Sequence, residues 1–368
     1  MLEGMAAEER QVSEDAEQGA RGEPVGVIGA GGWGTALAHL LAEKGIPVSL
    51  WVYEEDLSKT IAETRENSLY LPGIQLASLV HGENGLGNVV RGKRVLVMAV
   101  PSHVYRQVAA QVIPLLSGRV IIVNATKGIE NESLKTMGEI WREIMPESLV
   151  WDYAALSGPS FAREVARHVP TAVTVASTSK EVAVEVQRLF ATPFFRVYSS
   201  TDVIGVELGG ALKNIIALAA GIIDGLGLGH NTRAALITRG LAEMSRLGTT
   251  LGAHPLTFLG LSGVGDLVLT CTGELSRNRT VGFQLGQGKK LEEILGEMRM
   301  VAEGVKTTRS VYHLARKQRV ELPICEQMYR ILYEKRSPRN AVATLMQRDL
   351  KHEPDTFFPS SPLPSGHD

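Results

Sequence analysis

Residues 25–53 read VGVIGAGGWGTALAHLLAEKGIPVSLWVY, and the succession of textures in them decides the fold. A short apolar run, 25–29, ends directly on glycines. Residues 35–44 then place Leu37, Leu40 and Leu41 on one helical face. Residues 48–53 return to an apolar run rich in β-branched and aromatic side chains. Strand, glycine turn, helix and strand make a βαβ unit. Within it, Gly29-Ala30-Gly31-Gly32-Trp33-Gly34 fits G-x-G-x-x-G, and the flanking strand and helix are the context that gives this pattern meaning. Gly29 permits the tight turn, Gly31 lets the backbone approach a pyrophosphate, and Gly34 lets the helix pack closely on the strand. The helix start offers free N–H groups and a partial positive charge to phosphates.

The alternation continues outward from this unit. Strands are expected at 94–100, 120–124, 153–156, 171–176 and 195–199, with helices at 103–113, at 133–144 and from near Phe161, where Ser160 is placed to cap. This predicts an α/β protein with an N-terminal Rossmann-like, doubly wound, mostly parallel sheet covered on both faces. After about residue 203 no convincing strand remains. Stretches such as 232–247, 291–297, 307–316 and 323–333 have helical spacing, which predicts an all-helical C-terminal domain. The expected organisation is a disordered acidic leader at 1–23, a dinucleotide-binding domain at 24–204, a helical substrate and catalytic domain at 205–350, and a flexible Pro/Ser-rich tail at 351–368.

Composition excludes other classes. The net charge of -2, from 38 basic against 40 acidic residues, argues against broad nucleic-acid binding. Two cysteines, Cys271 and Cys325, make no disulfide framework and suit a reduced, cytoplasmic setting. No uninterrupted apolar run is long enough for a membrane span, and the first 23 residues lack the apolar core of a signal peptide. The histidines show no metal-ligand spacing, so no metal is expected.

Glu54 follows the second strand at the separation expected of an acid that accepts from an adenosine ribose 2′-OH. It would repel a 2′-phosphate. Glu55 and Asp56 add negative charge, and no basic residue appears before Lys59. This favours NAD over NADP. The blander reading is a solvated loop acid.

Ligands of doubly wound sheets sit beyond the carboxyl ends of the strands. There the chain carries Pro101-Ser102-His103, Thr126-Lys127-Gly128 and Gly158-Pro159-Ser160. Lys127 is the cation expected to face substrate, although by composition alone a lysine is more often a solvated loop residue. In the second domain, residues 208–223 (LGGALKNIIALAAGII) are small or apolar all round a helix, which marks it as buried. Lys213 and Asn214 lie inside it. Burial lowers a lysine pKa toward the range of a general base, unless the side chain snorkels out or simply pairs with a carboxylate. Asp266, set among glycines, could orient Lys213 or could cap a helix. Ser276-Arg277-Asn278-Arg279 gathers phosphate-type donors, with an exposed basic turn as the alternative. Cys271 has no base beside it and reads as packing.

Several long motifs occur in one order: GAGGWGTALA (29–38), AVPSH (99–103), TKGIE (126–130), LSGPSFAREV (156–165), GVELGGALKNIIALAAGIIDGLGLG (205–229), GLSGVGDLVLTCTGELSRN (260–278) and VAEGVKTT (301–308). Over residues 25–348 the chain thereby resembles the bacterial-type NAD(P)-dependent glycerol-3-phosphate dehydrogenases. The resemblance implies interconversion of glycerol 3-phosphate and dihydroxyacetone phosphate and a supply of glycerol 3-phosphate for phospholipid synthesis; the buried helical faces point to a homodimer. It implies that Lys213 accepts the proton, with Lys127, Asp266 and Asn214 in the catalytic group. Gly158, Ser160, Ser276, Arg277 and Asn278 would bind substrate, together with Lys127, Lys213 and Asp266. Gly29, Gly31, Gly32, Trp33, Gly34, Glu54, Lys127, Ala162, Arg277, Val301 and Glu303 would contact the cofactor. Two departures stand out: Tyr53-Glu54 replaces a basic pair that many relatives carry, and Gly32 stands where relatives often have Ser. Rival readings are a related dehydrogenase of another hydroxy acid and a non-catalytic sensor of the NADH/NAD ratio. The latter would need the glycine turn but neither lysine.

Overall fold

The computed structural model describes residues 22–298, 302–350 and 352–353. The expected leader (apart from its last two residues), most of the tail and Val301 lie outside these residues. Eight strands form one sheet in the order β3-β2-β1-β4-β5-β6-β7-β8. They are β1 (Val25–Ile28), β2 (Val48–Trp51), β3 (Val80–Glu83), β4 (Val95–Met98), β5 (Val120–Asn124), β6 (Trp151–Ser157), β7 (Thr171–Ala176) and β8 (Phe195–Ser200). Every pairing is parallel except β6 with β7. The sheet grows in one direction from β1 through β2 and in the other through β4. The carboxyl end of β1 is therefore the switch point where a doubly wound sheet opens a crevice.

Seven helices accompany the strands: α1 (Gly32–Glu43), α2 (Glu55–Thr64), α3 (Leu86–Val90), α4 (Tyr105–Val112), α5 (Met137–Ile144), α6 (Ala162–Val165) and α7 (Lys180–Phe190). Adjacent residues of β1 feed opposite faces. Val27 joins a core with Leu37, Leu41 and Leu50, and Ile28 joins one with Tyr105, Ile140 and Trp141. Both faces are covered, as a parallel sheet requires.

From residue 203 the described residues are helical, and a third core lies among them. The helices are α8 (Val203–Gly225), α9 (Gly229–Thr250), α10 (Asp266–Thr272), α11 (Arg277–Gly286), α12 (Leu291–Glu297), α13 (Glu303–Gln318), α14 (Pro323–Tyr333) and α15 (Pro338–Met346). The central helix α8 is long and apolar enough to cross a membrane by length and composition, yet the whole of its apolar window is buried inside the protein. That refines the sequence reading, in which no run qualified. Glycines let α11 lie directly on it. A methyl at Gly221 would stand 2.0 Å from the Arg279 carbonyl oxygen, and one at Gly282 would stand 2.0 Å from that of Leu218.

Some elements differ from expectation. β3 reads VHGE, partly polar with a glycine, and carries little apolar signal because it is an edge strand. α5 begins at Met137 rather than near Ser133, because Thr136 and Glu139 form a capping box there. Ser160 caps nothing: Phe161 holds the cap position of α6, and the Ser160 hydroxyl donates to the Gly158 carbonyl at 3.0 Å.

Candidate active site

The glycine turn is built by close approaches. Gly29 has φ +114, in the left-handed region, and a methyl on it would meet the Ala99 carbonyl at 2.7 Å. A methyl on Gly34 would stand 1.9 Å from the Gly29 carbonyl, so α1 rests against the strand end. Gly31 differs: a methyl there would meet nothing within 4 Å. No side chain caps α1 and no acid lies in its first turn. The Trp33 indole Nε1 is buried with no partner among the described residues. An open backbone face, an uncapped helix start and an orphaned donor together fit a dinucleotide phosphate. Gly32 lies beside Ala162, with 3.8 Å between its virtual Cβ and the alanine methyl. Glu54 sits at the start of α2 without capping it, and its Oε1 accepts from the Tyr70 hydroxyl at 2.6 Å.

The chemistry converges on one carboxylate. Asp266, 1% exposed, enters α10 from the π-helical turn Leu261–Gly265. The cap position belongs to Gly265, so Asp266 is not the helix cap considered from sequence. Its Oδ1 accepts from Lys213 Nζ at 2.7 Å, and its Oδ2 accepts from Lys127 Nζ. Lys213 also donates to Thr270 Oγ1 at 2.7 Å, while that hydroxyl donates to the Asp266 carbonyl at 2.6 Å. Lys127 donates a second bond to the Gly158 carbonyl at 3.1 Å. Gly158 itself has φ +147, and a side chain there would meet Val173.

The Lys213 amine is 7% exposed as a residue, and burial is the main cause that pushes its pKa down to about 8. The Asp266 charge opposes this and the nearby Lys127 charge adds to it. Burial pushes the Asp266 carboxyl up, but Lys127 and Lys213 outweigh it and hold it below its ordinary range. An acid that stays charged thus sits beside a lysine poised to lose its proton near neutral pH.

The remaining expected residues lie on α8, at the start of α11 and at the start of α13. Asn214 Oδ1 accepts from Asn278 Nδ2 at 2.9 Å, and Asn278 Oδ1 accepts from the Gly304 N–H at 2.9 Å. These two residues tie α8, α11 and the start of α13 together. Ser276 is buried and caps α11, its hydroxyl accepting from the Arg279 N–H at 3.3 Å. Arg277, at the first position of α11, is exposed and makes no hydrogen bond or ion pair among the described residues. Arg279 is committed elsewhere, to Asp224 at 2.8 Å. Glu303 begins α13, and its carboxylate accepts from both the Ser102 N–H, at 3.2 Å, and the Ser102 hydroxyl. This links the helical region to the loop after β4.

Sequence reasoning missed Thr270 and Ser102. Thr270 lies four residues after Asp266 on the same helix, a spacing that places the two on one face. Ser102 lies in the AVPSH motif, which carries no local signal of a partner for its hydroxyl. Both cysteines are buried, in keeping with packing. One group with metal-ligand spacing exists among the described residues, His39, Glu43 and His168. The Ala77 N–H donates to His39 Nδ1 at 3.1 Å, which leaves the proton of the neutral ring on Nε2, facing Glu43. That tautomer offers no lone pair to an ion at Nε2.

Residues 24–183 match the family described as NAD-dependent glycerol-3-phosphate dehydrogenase N-terminus, and residues 202–343 match its C-terminus. The chain belongs to this family. A Syntrophobacter fumaroxidans member named glycerol-3-phosphate dehydrogenase [NAD(P)+] is 60% identical, over 90% of this chain and 98% of its own length. A Geobacter sulfurreducens member of the same name is likewise 60% identical, over 90% of this chain and 99% of its own length. The crystal structure of glycerol-3-phosphate dehydrogenase from Coxiella burnetii superposes with a TM-score of 0.85 at 40% identity. It covers 89% of this chain and 99% of that one.

Proposed function

We propose that this chain interconverts glycerol 3-phosphate and dihydroxyacetone phosphate, with NAD preferred to NADP. The observation that carries the reading is the Asp266 carboxylate held between two lysines, one from each half of the chain. Residues 24–204 would hold the dinucleotide and residues 205–350 would supply most of the substrate contacts.

The nicotinamide, when bound, supplies the acceptance and return of hydride. The chain's own residues handle the proton and the charge. Lys213 Nζ, neutral in appreciable fraction near pH 8, accepts the proton of the substrate C2 hydroxyl. Asp266 balances the ammonium so formed. Lys127 stabilises negative charge developing on the C2 oxygen, as a preorganised donor. Arg277, exposed and without a hydrogen bond or ion pair among the described residues, takes the phosphate dianion, with Asn278 and Ser276 shaping the helix start beneath it. Glu54 accepts from an unphosphorylated ribose and repels a 2′-phosphate. Gly31, Trp33 and Ala162 border the phosphates, and Glu303 braces the loop after β4. A homodimer and a role in supplying phospholipid synthesis belong to the same proposal.

Steady-state reduction of dihydroxyacetone phosphate with NADH and NADPH side by side tests the reading. NADH should give the higher kcat/KM. Lys213→Ala should lower kcat by about 10²–10⁴-fold while NADH affinity changes little. Near-normal turnover in that variant would remove Lys213 from the mechanism.

A further inference from the structure

Gly32 and Glu54 lie far apart in sequence, yet both meet Tyr70. Its hydroxyl donates to Glu54 Oε1 at 2.6 Å. Its carbonyl oxygen lies 2.8 Å from where a Cβ on Gly32 would stand. The loop carrying Tyr70 is pinned from beneath by Asn67, which is 0% exposed. Asn67 Nδ2 donates to the Ala30 carbonyl, inside the glycine turn, and to Thr35 Oγ1, both at 2.8 Å. Asn67 Oδ1 accepts from the Tyr70 N–H at 2.9 Å. A continuous hydrogen-bonded path therefore runs from the phosphate-binding turn to the acid proposed for the ribose.

We infer that the Asn67–Tyr70 bridge is a specificity-determining device that fixes the Glu54 carboxylate for a dinucleotide without a 2′-phosphate, and that it depends on the missing side chain at Gly32. The inference rests on the proposed role of Glu54. The physical reason is entropy and reach. A glutamate at a helix start has several rotamers. A free one swings aside when a 2′-phosphate arrives and so repels it weakly. A carboxylate with one oxygen bonded to Tyr70 stays in place. Its Oε2 has no partner among the described residues and remains available to a ribose hydroxyl. A larger residue at position 32 must push the Tyr70 carbonyl away, which carries the hydroxyl off Glu54. Tyr70 is thus a positioning residue that acts through Glu54.

The test compares kcat/KM for NADH and NADPH in Glu54→Gln, Tyr70→Phe, Gly32→Ser and the Tyr70→Phe/Glu54→Gln double variant. Glu54→Gln should lower the NADH:NADPH ratio. Tyr70→Phe should lower it in the same direction, by about ten- to a hundredfold at most as expected for losing one bond to a charged group, with the change falling on KM. Gly32→Ser should follow it. Adding Tyr70→Phe to Glu54→Gln should change the ratio no further. An unaltered ratio in Glu54→Gln defeats the reading of Glu54 itself. A shifted ratio in Glu54→Gln with none in Tyr70→Phe or Gly32→Ser overturns the bridge alone. An equal Tyr70→Phe effect with and without Glu54 also overturns it, since Tyr70 would then not act through that carboxylate.

Discussion

Replacing Asp266 by Asn keeps the shape of the central carboxylate and removes its charge. Asp266 lies 2.7 Å from Lys213 Nζ and is almost wholly buried. At an effective dielectric constant of about 20, opposite charges at that distance attract by about 6 kcal/mol. Part of this is retained, because asparagine still accepts a hydrogen bond. Opposite charges at such range typically shift a pKa by about 1–3 units, or about 1.4–4 kcal/mol. In the wild type, burial lowers Lys213 to about 8 while Asp266 holds it up. Without that charge, burial and the Lys127 ammonium act unopposed, so Lys213 loses its proton at lower pH. The assay is kcat/KM for glycerol 3-phosphate oxidation from about pH 5 to pH 10, which reports the free enzyme. The wild-type rate should rise through about pH 8. The Asp266→Asn limb should lie about 1–3 pH units lower, whatever the loss in absolute rate. The substrate phosphate ionises near pH 6, but it does so for both enzymes and cancels in their ratio. A limb that stays in place or moves upward would refute Lys213 as the titrating base held by Asp266.

Three further substitutions test other parts of the fold. Glu243 is buried on α9 and accepts from the N–H groups of Ile324 and Cys325 at the start of α14, and burial pushes its carboxyl up to about 7. The folded state then keeps a proton that the unfolded chain releases above about pH 4.3, so stability from this group falls as pH rises toward 7. Thermal melts should show wild type losing up to about 3 kcal/mol relative to Glu243→Gln across that window, and parallel curves would contradict the assignment. The glycine turn offers a paired control. Gly34→Ala must displace backbone and should cost about 1–3 kcal/mol of stability. Gly31→Ala should melt normally yet bind NADH more weakly, because its methyl points into the space reserved for pyrophosphate. Equal NADH affinity in wild type and Gly31→Ala would show that the phosphates lie elsewhere.

The βαβ unit was legible because its glycines are dictated by backbone approach, a constraint written locally. Lys213 was legible because a cation inside an apolar helix contradicts its surroundings. Thr270 was hidden because a threonine on an apolar helix usually signifies packing or a hydroxyl bonded back to its own helix, and Thr270 makes that bond too. Asn67 and Tyr70 were hidden because their partners, Ala30 and Glu54, are distant in sequence and come together only when the loop folds back on the turn. Ser276 carries a task that its motif did not signal: its hydroxyl accepts from the Arg279 N–H in capping α11. Local signals survive in sequence, while contacts made by loop closure do not.

The glycine-lined crossing of α8 and α11 has a metrical consequence. Lys213 stands on one of these helices and Arg277 on the other, and their backbones touch with no side chain between them to yield. The spacing of the two backbone anchors is thereby set, while the exposed Arg277 side chain, which makes no hydrogen bond or ion pair among the described residues, keeps its own reach. On the proposed roles, a molecule whose hydroxyl and phosphate lie a carbon nearer or farther apart would have to be met by the Arg277 side chain alone, since the helices beneath cannot slide without a backbone clash.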